Sequence, residues 1–238
     1  MKRLIDFHSH ILPNVDDGSS SMEETLGMLR MEAEQGVRRV FATPHFYANR
    51  DALEIFLGRR ERAWSGLCKA TEASPELPAV ELGAEVYYFS GMSNSEMLTE
   101  LTLSGKRYIL LEMPKAPWTE SMYREIEGIC SKQGIIPVIA HIDRYVRPFR
   151  TYGIPDRLAE LPVLVQANAE FFLRSGTSPM ALRMLQADRI HLLGSDCHNL
   201  KSRAPNLLAA ARVIEKRLGH EVLEKIHSYE DLVLGDGC

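Results

Sequence analysis

Short apolar or β-branched runs recur along the chain, separated by longer segments whose apolar residues repeat at helical spacing. The runs predict strands at Leu4-Ile5-Asp6-Phe7, Arg39-Val40-Phe41-Ala42, Val80-Glu81-Leu82-Gly83-Ala84 and Tyr108-Ile109-Leu110-Leu111. Three more follow at Ile136-Pro137-Val138-Ile139-Ala140, Val163-Leu164-Val165-Gln166-Ala167 and Ile190-His191-Leu192-Leu193-Gly194. Between the first two runs, Ser21-Met22-Glu23-Glu24 reads as a capping box. Met22, Leu26, Leu29 and Ala33 form the apolar stripe behind it, and Gly36 permits a left-handed exit. After Arg203, Pro205 suits a first helical turn, and Leu207, Ala211, Ile214 and Leu218 line one face up to Gly219. Ser74 to Pro78 and Asp143 to Pro155 read as surface loops.

Seven strands alternating with helices imply parallel pairing, because each return crossover needs a helix. No linker, repeat or low-complexity stretch divides the chain, so residues 1–238 read as one domain. The expected architecture is α/β: a distorted (β/α)7 TIM-like barrel with its site at the C-terminal rim of the strands. An open dinucleotide-binding sheet fits less well, since His8-Ser9-His10-Ile11-Leu12 stands where a glycine-rich phosphate loop would be.

Composition narrows the field only modestly. The chain of 238 residues carries 28 basic and 32 acidic side chains, a formal charge of −4, which leaves no electrostatic footprint for general nucleic-acid binding. The four cysteines, Cys68, Cys130, Cys197 and Cys238, lack C-x-x-C spacing and are too sparse for a disulfide framework, which suggests a reducing cytoplasm. No apolar run approaches the roughly 18 residues of a membrane span.

Chemistry enters with the histidines. Five of the eight, His8, His10, His45, His141 and His198, directly follow apolar runs. Carboxylates join them at strand ends: Asp16-Asp17, Glu85, Glu112 and Asp196. In a parallel barrel these ends converge, so residues distant in sequence become neighbours. Imidazole with carboxylate suits Mn²⁺, Fe²⁺ or Zn²⁺, and the absence of thiolate sets argues against a structural zinc. Up to nine ligands is too many for one ion. Two or three ions about 3.5–4 Å apart is an arrangement used in phosphoryl hydrolysis. His191, His220 and His227 read as packing or surface residues. Cys197 and Arg203 also fit C-x5-R, the spacing of a thiol phosphatase, although the loop between them has no glycine.

Asp6-Phe7-His8-Ser9-His10-Ile11-Leu12-Pro13, Val15-Asp16-Asp17-Gly18, Ala42-Thr43-Pro44-His45, Gly83-Ala84-Glu85-Val86-Tyr87, Ala140-His141 and Ser195-Asp196-Cys197-His198-Asn199 together resemble the polymerase-and-histidinol-phosphatase (PHP) superfamily. More narrowly, they resemble its bacterial manganese-dependent protein-tyrosine phosphatases of capsular and exopolysaccharide biosynthesis. The resemblance implies His8, His10, Glu85 and Asp196 around a first ion, Glu85, Glu112 and His141 around a second, and Asp17, His45 and His198 around a third. Manganese is the first choice of metal, with iron or zinc also accommodated. Asp6 would orient a neighbouring imidazole. Arg144 and Arg203 match the family's phosphate-binding arginines, whose planar forks suit phosphate.

The implied reaction is direct hydrolysis of a phosphomonoester by a hydroxide bridging the metals. The implied partner is the phosphotyrosine tail of a bacterial tyrosine autokinase. Phe46, Tyr47, Trp118 and Tyr145 follow rim motifs and are candidates to flank a tyrosyl ring. Arg147 and Arg150, with Arg144, make the loop after His141 basic. A small-molecule PHP phosphatase, acting on histidinol phosphate or a related ester, is the alternative with the same metals. Two departures from the usual pattern stand out: Phe46 follows His45 where a second His is common, and Ile142-Asp143 replaces Pro-Glu before Arg144.

Overall fold

The computed structural model describes residues 4–146 and 153–235, so Arg147, Arg150 and Cys238 lie outside the described residues. Among the described residues nine strands are present: β1 (Leu4–Ser9), β2 (Val37–Ala42), β3 (His45–Phe46), β4 (Ala79–Leu82), β5 (Glu85–Tyr87), β6 (Tyr108–Glu112), β7 (Ile136–Ile139), β8 (Leu164–Asn168) and β9 (Leu192–Gly194). All pair in parallel, in the orders β1-β2-β4 and β3-β5-β6-β7-β8-β9. The two stretches are stitched by backbone bonds across short breaks. Thr43 N–H donates to Ser9 O, Gly83 N–H to Ala42 O, and Glu85 N–H to Pro44 O. At the other edge, Asp196 N–H donates to His8 O, His10 N–H donates to Cys197 O, and Ser9 bridges Cys197. The protein is an α/β fold built on a curled parallel sheet.

Each predicted strand exists, but two continue further than their hydrophobic runs. Thr43-Pro44 and Gly83-Ala84 interrupt the pattern, and β3 and β5 resume beyond them. Proline cannot donate to a ladder, so a break there follows from chemistry.

Strand alternation sorts the core into two layers. Tyr108, Leu110, Val138, Leu164 and Leu192 face into the curl with Ile5, Phe7 and Phe41, and α8 (His220–Leu234) adds Val233 and Leu234 to this cluster. The opposite parity, including Ile109, Leu111, Ile139, Val165 and Leu193, packs in the outer cluster shared with the helices. Following the inner parity upward, Tyr108 and Leu110 lead to Glu112, while Leu164 leads to Gln166 and Asn168. The sheet interior therefore turns from apolar to polar at its C-terminal end.

The remaining helices are α1 (Met22–Glu34), α2 (Leu53–Thr71), α3 (Glu120–Gln133), α4 (Ile154–Leu158), α5 (Ala169–Leu173), α6 (Ser178–Gln186) and α7 (Leu207–Leu218). Ser21 Oγ caps α1 by accepting Glu24 N–H at 3.1 Å, while the Glu24 carboxylate accepts Ser20 N–H, one residue earlier than expected. The buried face of α1 is Thr25, Met28, Leu29 and Glu32, rotated from the predicted stripe, in which only Leu29 is fully buried. Gly36 takes φ +80°, as expected of a left-handed exit. Pro205 precedes α7 rather than starting it, because Asn206 occupies the cap. The predicted loop from Asp143 to Pro155 contains a turn of 3-10 helix at Ile142–Arg144 and the start of α4. No helix among the described residues is long and apolar enough to cross a membrane.

Candidate metal centre

All nine predicted ligands meet at the C-terminal end of the sheet. Their innermost set is compact. His8 Nε2 and His10 Nε2 lie 3.1 Å apart; Glu85 Oε2 is 3.1 and 3.3 Å from them, and Asp196 Oδ1 is 3.7 and 3.4 Å away. Donors bound to one ion at about 2.0–2.2 Å are separated by roughly 3–3.5 Å, so this spacing fits a shared cation. His10, Asp17, His45 and His198 form a second group able to hold a metal; His8, Glu85 and His141 form a third, and His45, Glu85 and Glu112 a fourth. Relative to the expected sets, His10 joins the Asp17 group, and Glu85 is shared between His141 and Glu112. Among the described residues, buried His45 Nδ1 and His198 Nε2 make no hydrogen bond of ordinary geometry, although they lie 2.9 Å from Glu85 Oε2 and 3.7 Å from Asp17 Oδ1. Imidazole nitrogens facing carboxylates without a well-formed hydrogen bond are what a shared divalent cation would satisfy.

Asp16, one of the strand-end carboxylates, and two residues that no motif singles out, Gln166 and Asn168, fix the imidazoles. Asp16 Oδ2 faces His10 Nδ1 at 2.6 Å and accepts His45 N–H at 2.8 Å, while its Oδ1 accepts Gly18 N–H. Gln166 Oε1 accepts His141 N–H at 2.9 Å and lies 3.4 Å from His8 Nδ1. Asn168 Oδ1 lies 3.2 Å from His141 Nδ1, and its amide donates to Asp196 Oδ2 at 2.9 Å. Polar side chains at alternate positions of the apolar strand Leu164-Val165-Gln166-Ala167-Asn168 were the available signal. Gly194 admits the closest packing: a Cβ there would lie 2.6 Å from His8 Cβ and 2.7 Å from Gln166 Nε2. His141 and Asp196, each just past a strand, both adopt positive φ, 45° and 55°. Such backbone is costly for a non-glycine residue and recurs at functional sites.

The charges are strongly coupled. Burial opposes ionisation of Glu85, but His141 and His8 hold its carboxyl well below the usual range. Asp196 is likewise held low against burial, by His8, His10 and His141. Burial disfavours the charged His10, yet Asp16, Asp196 and Glu85 carry its pKa well above normal. His198 moves the other way, pushed down to about 3 by burial and then by the charge on His10.

Both predicted arginines reach the site. Arg144 pairs with Glu112 and, at 3.2 Å, with Asp196 Oδ2, while Arg203 Nη2 lies 2.8 Å from Asp196 Oδ1. A cleft of about 790 Å³ opens beside them, lined by Asp143, Asn168, Phe171 and Asn206 among others.

Three of the four proposed ring-flanking aromatics do not face an open site. Phe46 is fully buried against Phe56, because strand parity turns it away from His45. Tyr145 is buried, and its hydroxyl donates to Met113 O and accepts Met113 N–H. Trp118 packs against Tyr145 and Tyr123 and donates to Pro114 O. Tyr47 alone stays at the mouth, half-buried, with its phenol pushed up to about 12 by burial and by Glu112, Glu85 and Asp17.

Asp6 also departs from expectation. It accepts the backbone N–H groups of His8 and Ser195 and the Ser195 hydroxyl, so it orients backbone rather than an imidazole. Behind it lie Glu32 of α1 and Cys197, their ligand atoms all within 4.8 Å of one another. The Cys197 thiol is fully buried and pushed well up by that burial, then by Glu32 and Asp6. It cannot serve as a nucleophile, and the C-x5-R reading falls. His191 accepts Val165 N–H and packs on Tyr229, His220 is exposed beside Glu215 and Glu224, and His227 lies by Glu230; none approaches the rim.

Residues 4–231 match the family described as capsular polysaccharide synthesis, CpsB/CapC. The chain belongs to that family. It is 32% identical over 231 residues to the tyrosine-protein phosphatase CpsB of Streptococcus pneumoniae, covering 91% of each chain. With the tyrosine-protein phosphatase YwqE of Bacillus subtilis (strain 168) it shares 29% identity over 247 residues, covering 97% of this chain and 91% of YwqE. Among solved structures it resembles one from work on B. subtilis YwqE and S. pneumoniae CpsB, described as metal-dependent tyrosine phosphatases. There the TM-score is 0.85 at 27% identity, covering 97% of this chain and 94% of the other.

Proposed function

We propose that this chain is a metal-dependent phosphatase that hydrolyses phosphotyrosine in proteins, with the tail of a bacterial tyrosine autokinase of capsule synthesis as its partner. The observation that carries the reading is the meeting of His8, His10, Glu85 and Asp196 at ligand spacing, with Arg144 and Arg203 beside them. The names of the CpsB and YwqE relatives support the substrate class. Two to three divalent ions, manganese first, with iron or zinc as the alternatives, are part of the proposal. So are all nine ligands: His8, His10, Asp17, His45, Glu85, Glu112, His141, Asp196 and His198. Bound there, the ions would lower the pKa of water and draw charge from phosphoryl oxygens.

The chain's own residues do the rest. Arg144 and Arg203 hold two phosphoryl oxygens and take up charge as the bond to the leaving group breaks. Asn168 and Gln166 keep His141 and His8 in place through the turnover. With the Cys197 thiol enclosed, the phosphoryl group passes directly to water. A phenolate, whose parent pKa is about 10, leaves more readily than an alkoxide. The same proposal includes a seven-stave barrel within one domain, with β2-β3 and β4-β5 each one interrupted stave, and a cytoplasmic location suited to unpaired cysteines.

Metal analysis combined with a phosphotyrosine-peptide assay, with and without chelator, tests the reading. Bound metal and activity that disappear together on chelation are expected. Activity that survives chelation, or a large preference for histidinol phosphate over the peptide, overturns it.

A further inference from the structure

Strands β3 and β5 run side by side, with His45 opposite Glu85 and Phe46 opposite Val86. Just past the end of β3, Tyr47 stands beside Tyr87 of β5. His45 and Glu85 face the site and Phe46 and Val86 turn into the core, while the Tyr47 ring lies against that of His45 and carries Tyr87 with it on the site side. The tyrosines stand two residues, about 6.6 Å of strand rise, above the ligand layer. Their ring centroids are 5.5 Å apart, and the Tyr47 ring is 5.3 Å from that of His45. Both are half-buried, unlike Phe46 and Val86 between them.

Two contacts fix this pair. Arg50 stacks its guanidinium 4.6 Å over the Tyr47 ring, and the turn that places it is closed by Arg50 N–H and Asp51 N–H donating to Tyr47 O. On the next strand Tyr87 pairs in register with Glu112, the carboxylate that Arg144 holds. The aromatic pair is thus tied to both the metal-holding layer and one phosphate-binding arginine.

We propose that Tyr47 and Tyr87, braced by Arg50, form an aromatic wall that packs against the phenyl ring of the substrate and selects aryl over alkyl phosphate esters. The inference rests on the phosphatase reading above and adds what discriminates within it. A ring held by its phosphate between Arg144 and Arg203 meets π-faces one strand step higher, where a short alkyl ester meets nothing.

Two non-hydrolysable probes separate the wall from the phosphate site: phenylphosphonate and methylphosphonate, used as inhibitors of the metal-loaded enzyme. Wild type should bind the phenyl compound more tightly. Tyr47→Leu and Tyr87→Leu should each weaken phenylphosphonate about 3- to 10-fold and leave methylphosphonate within twofold. Tyr87→Phe should keep wild-type discrimination. Arg50→Ala, an exposed change that should leave folding intact, should weaken only phenylphosphonate, by about 2- to 5-fold. Equal binding of the two probes by wild type, with the phosphotyrosine assay positive, overturns the wall and spares the phosphatase reading. Binding of neither probe overturns the wall, and takes the phosphatase reading with it only where the phosphotyrosine assay is negative as well. Equal losses for both probes in the Leu and Arg50 variants also overturn the wall, since they report damage to the phosphate site.

Discussion

Replacing Glu32 with glutamine should stabilise the protein increasingly as pH rises. Glu32 lies on the inward face of α1, fully buried, and neither carboxyl oxygen makes a hydrogen bond of ordinary geometry. Burial, and then the charge of Asp6, push its pKa well above the usual glutamate range. The folded chain therefore keeps a proton there that the unfolded chain releases in the ordinary range near 4.3. Above that range the unfolded state binds fewer protons than the folded one, so stability falls as pH rises toward the folded pKa. Glutamine is nearly isosteric, stays neutral, and can donate to Asp6. Each pH unit between the ordinary glutamate range and the folded pKa costs wild type about 1.4 kcal/mol that a neutral amide does not incur, so relief on the order of 1–3 kcal/mol is expected near pH 8. For a chain of this size each kcal/mol shifts Tm by about 2–4 °C, giving a gain of roughly 2–12 °C. Thermal unfolding of wild type and Glu32→Gln at pH 5, 7 and 8.5 measures it. The gap should widen with pH. Parallel curves, or a variant less stable than wild type at pH 8.5, would refute the argument.

The other expectations concern the site. Asp16→Asn removes the carboxylate beside His10 Nδ1 and should weaken metal binding about 10- to 100-fold, measured by metal titration, with the fold intact by circular dichroism. Because neighbouring carboxylates raise the pKa of both His10 and His141 despite burial, cations must displace protons there, so metal affinity should rise between pH 6 and pH 8; a flat profile contradicts this. Gly194→Ala would place a methyl 2.6 Å from His8 Cβ, where His8 and Gln166 are already packed, and should cost 1–3 kcal/mol in unfolding experiments along with most activity.

Much of this site was legible because its residues announce themselves. A His or carboxylate at or just past the end of most apolar runs needs only the rule that parallel strand ends converge, and the structure brings the nine side chains to one end of the sheet. The parity of single residues was harder to read. Phe46 and Tyr47 adjoin in sequence, but Phe46 turns into the core at the end of β3, a strand hidden behind Thr43-Pro44, while Tyr47 just past it lies against His45. Tyr87 stands in the Gly83-Ala84-Glu85-Val86-Tyr87 motif, but the predicted strand ends at Ala84, so the sequence carries no sign that its ring meets that of Tyr47. Asp6 was placed correctly beside the site and given the wrong partner, since hydrogen bonds to backbone leave no trace in a motif. Glu32 sat in a helix whose predicted stripe was slightly rotated, and a buried carboxyl on an otherwise amphipathic helix looks like a surface residue until its partner is seen.

The junction of β1 with β9 has a consequence for how the protein is made. His8 lies in the first strand and His10 just past it, Asp196 and His198 follow the last, and the two ends meet through the bridge of Ser9 with Cys197, its flanking backbone bonds and the hold of Asp6 on Ser195. Contacts so far apart in the chain form late, after most of the intervening chain has been synthesised and ordered. A nascent chain thus holds its first histidines long before the side chains that come to face them, and the cluster of His8, His10, Asp196 and His198 closes only when the last strand docks. A nick or truncation that frees β9 should abolish tight metal binding even with β1 to β8 intact.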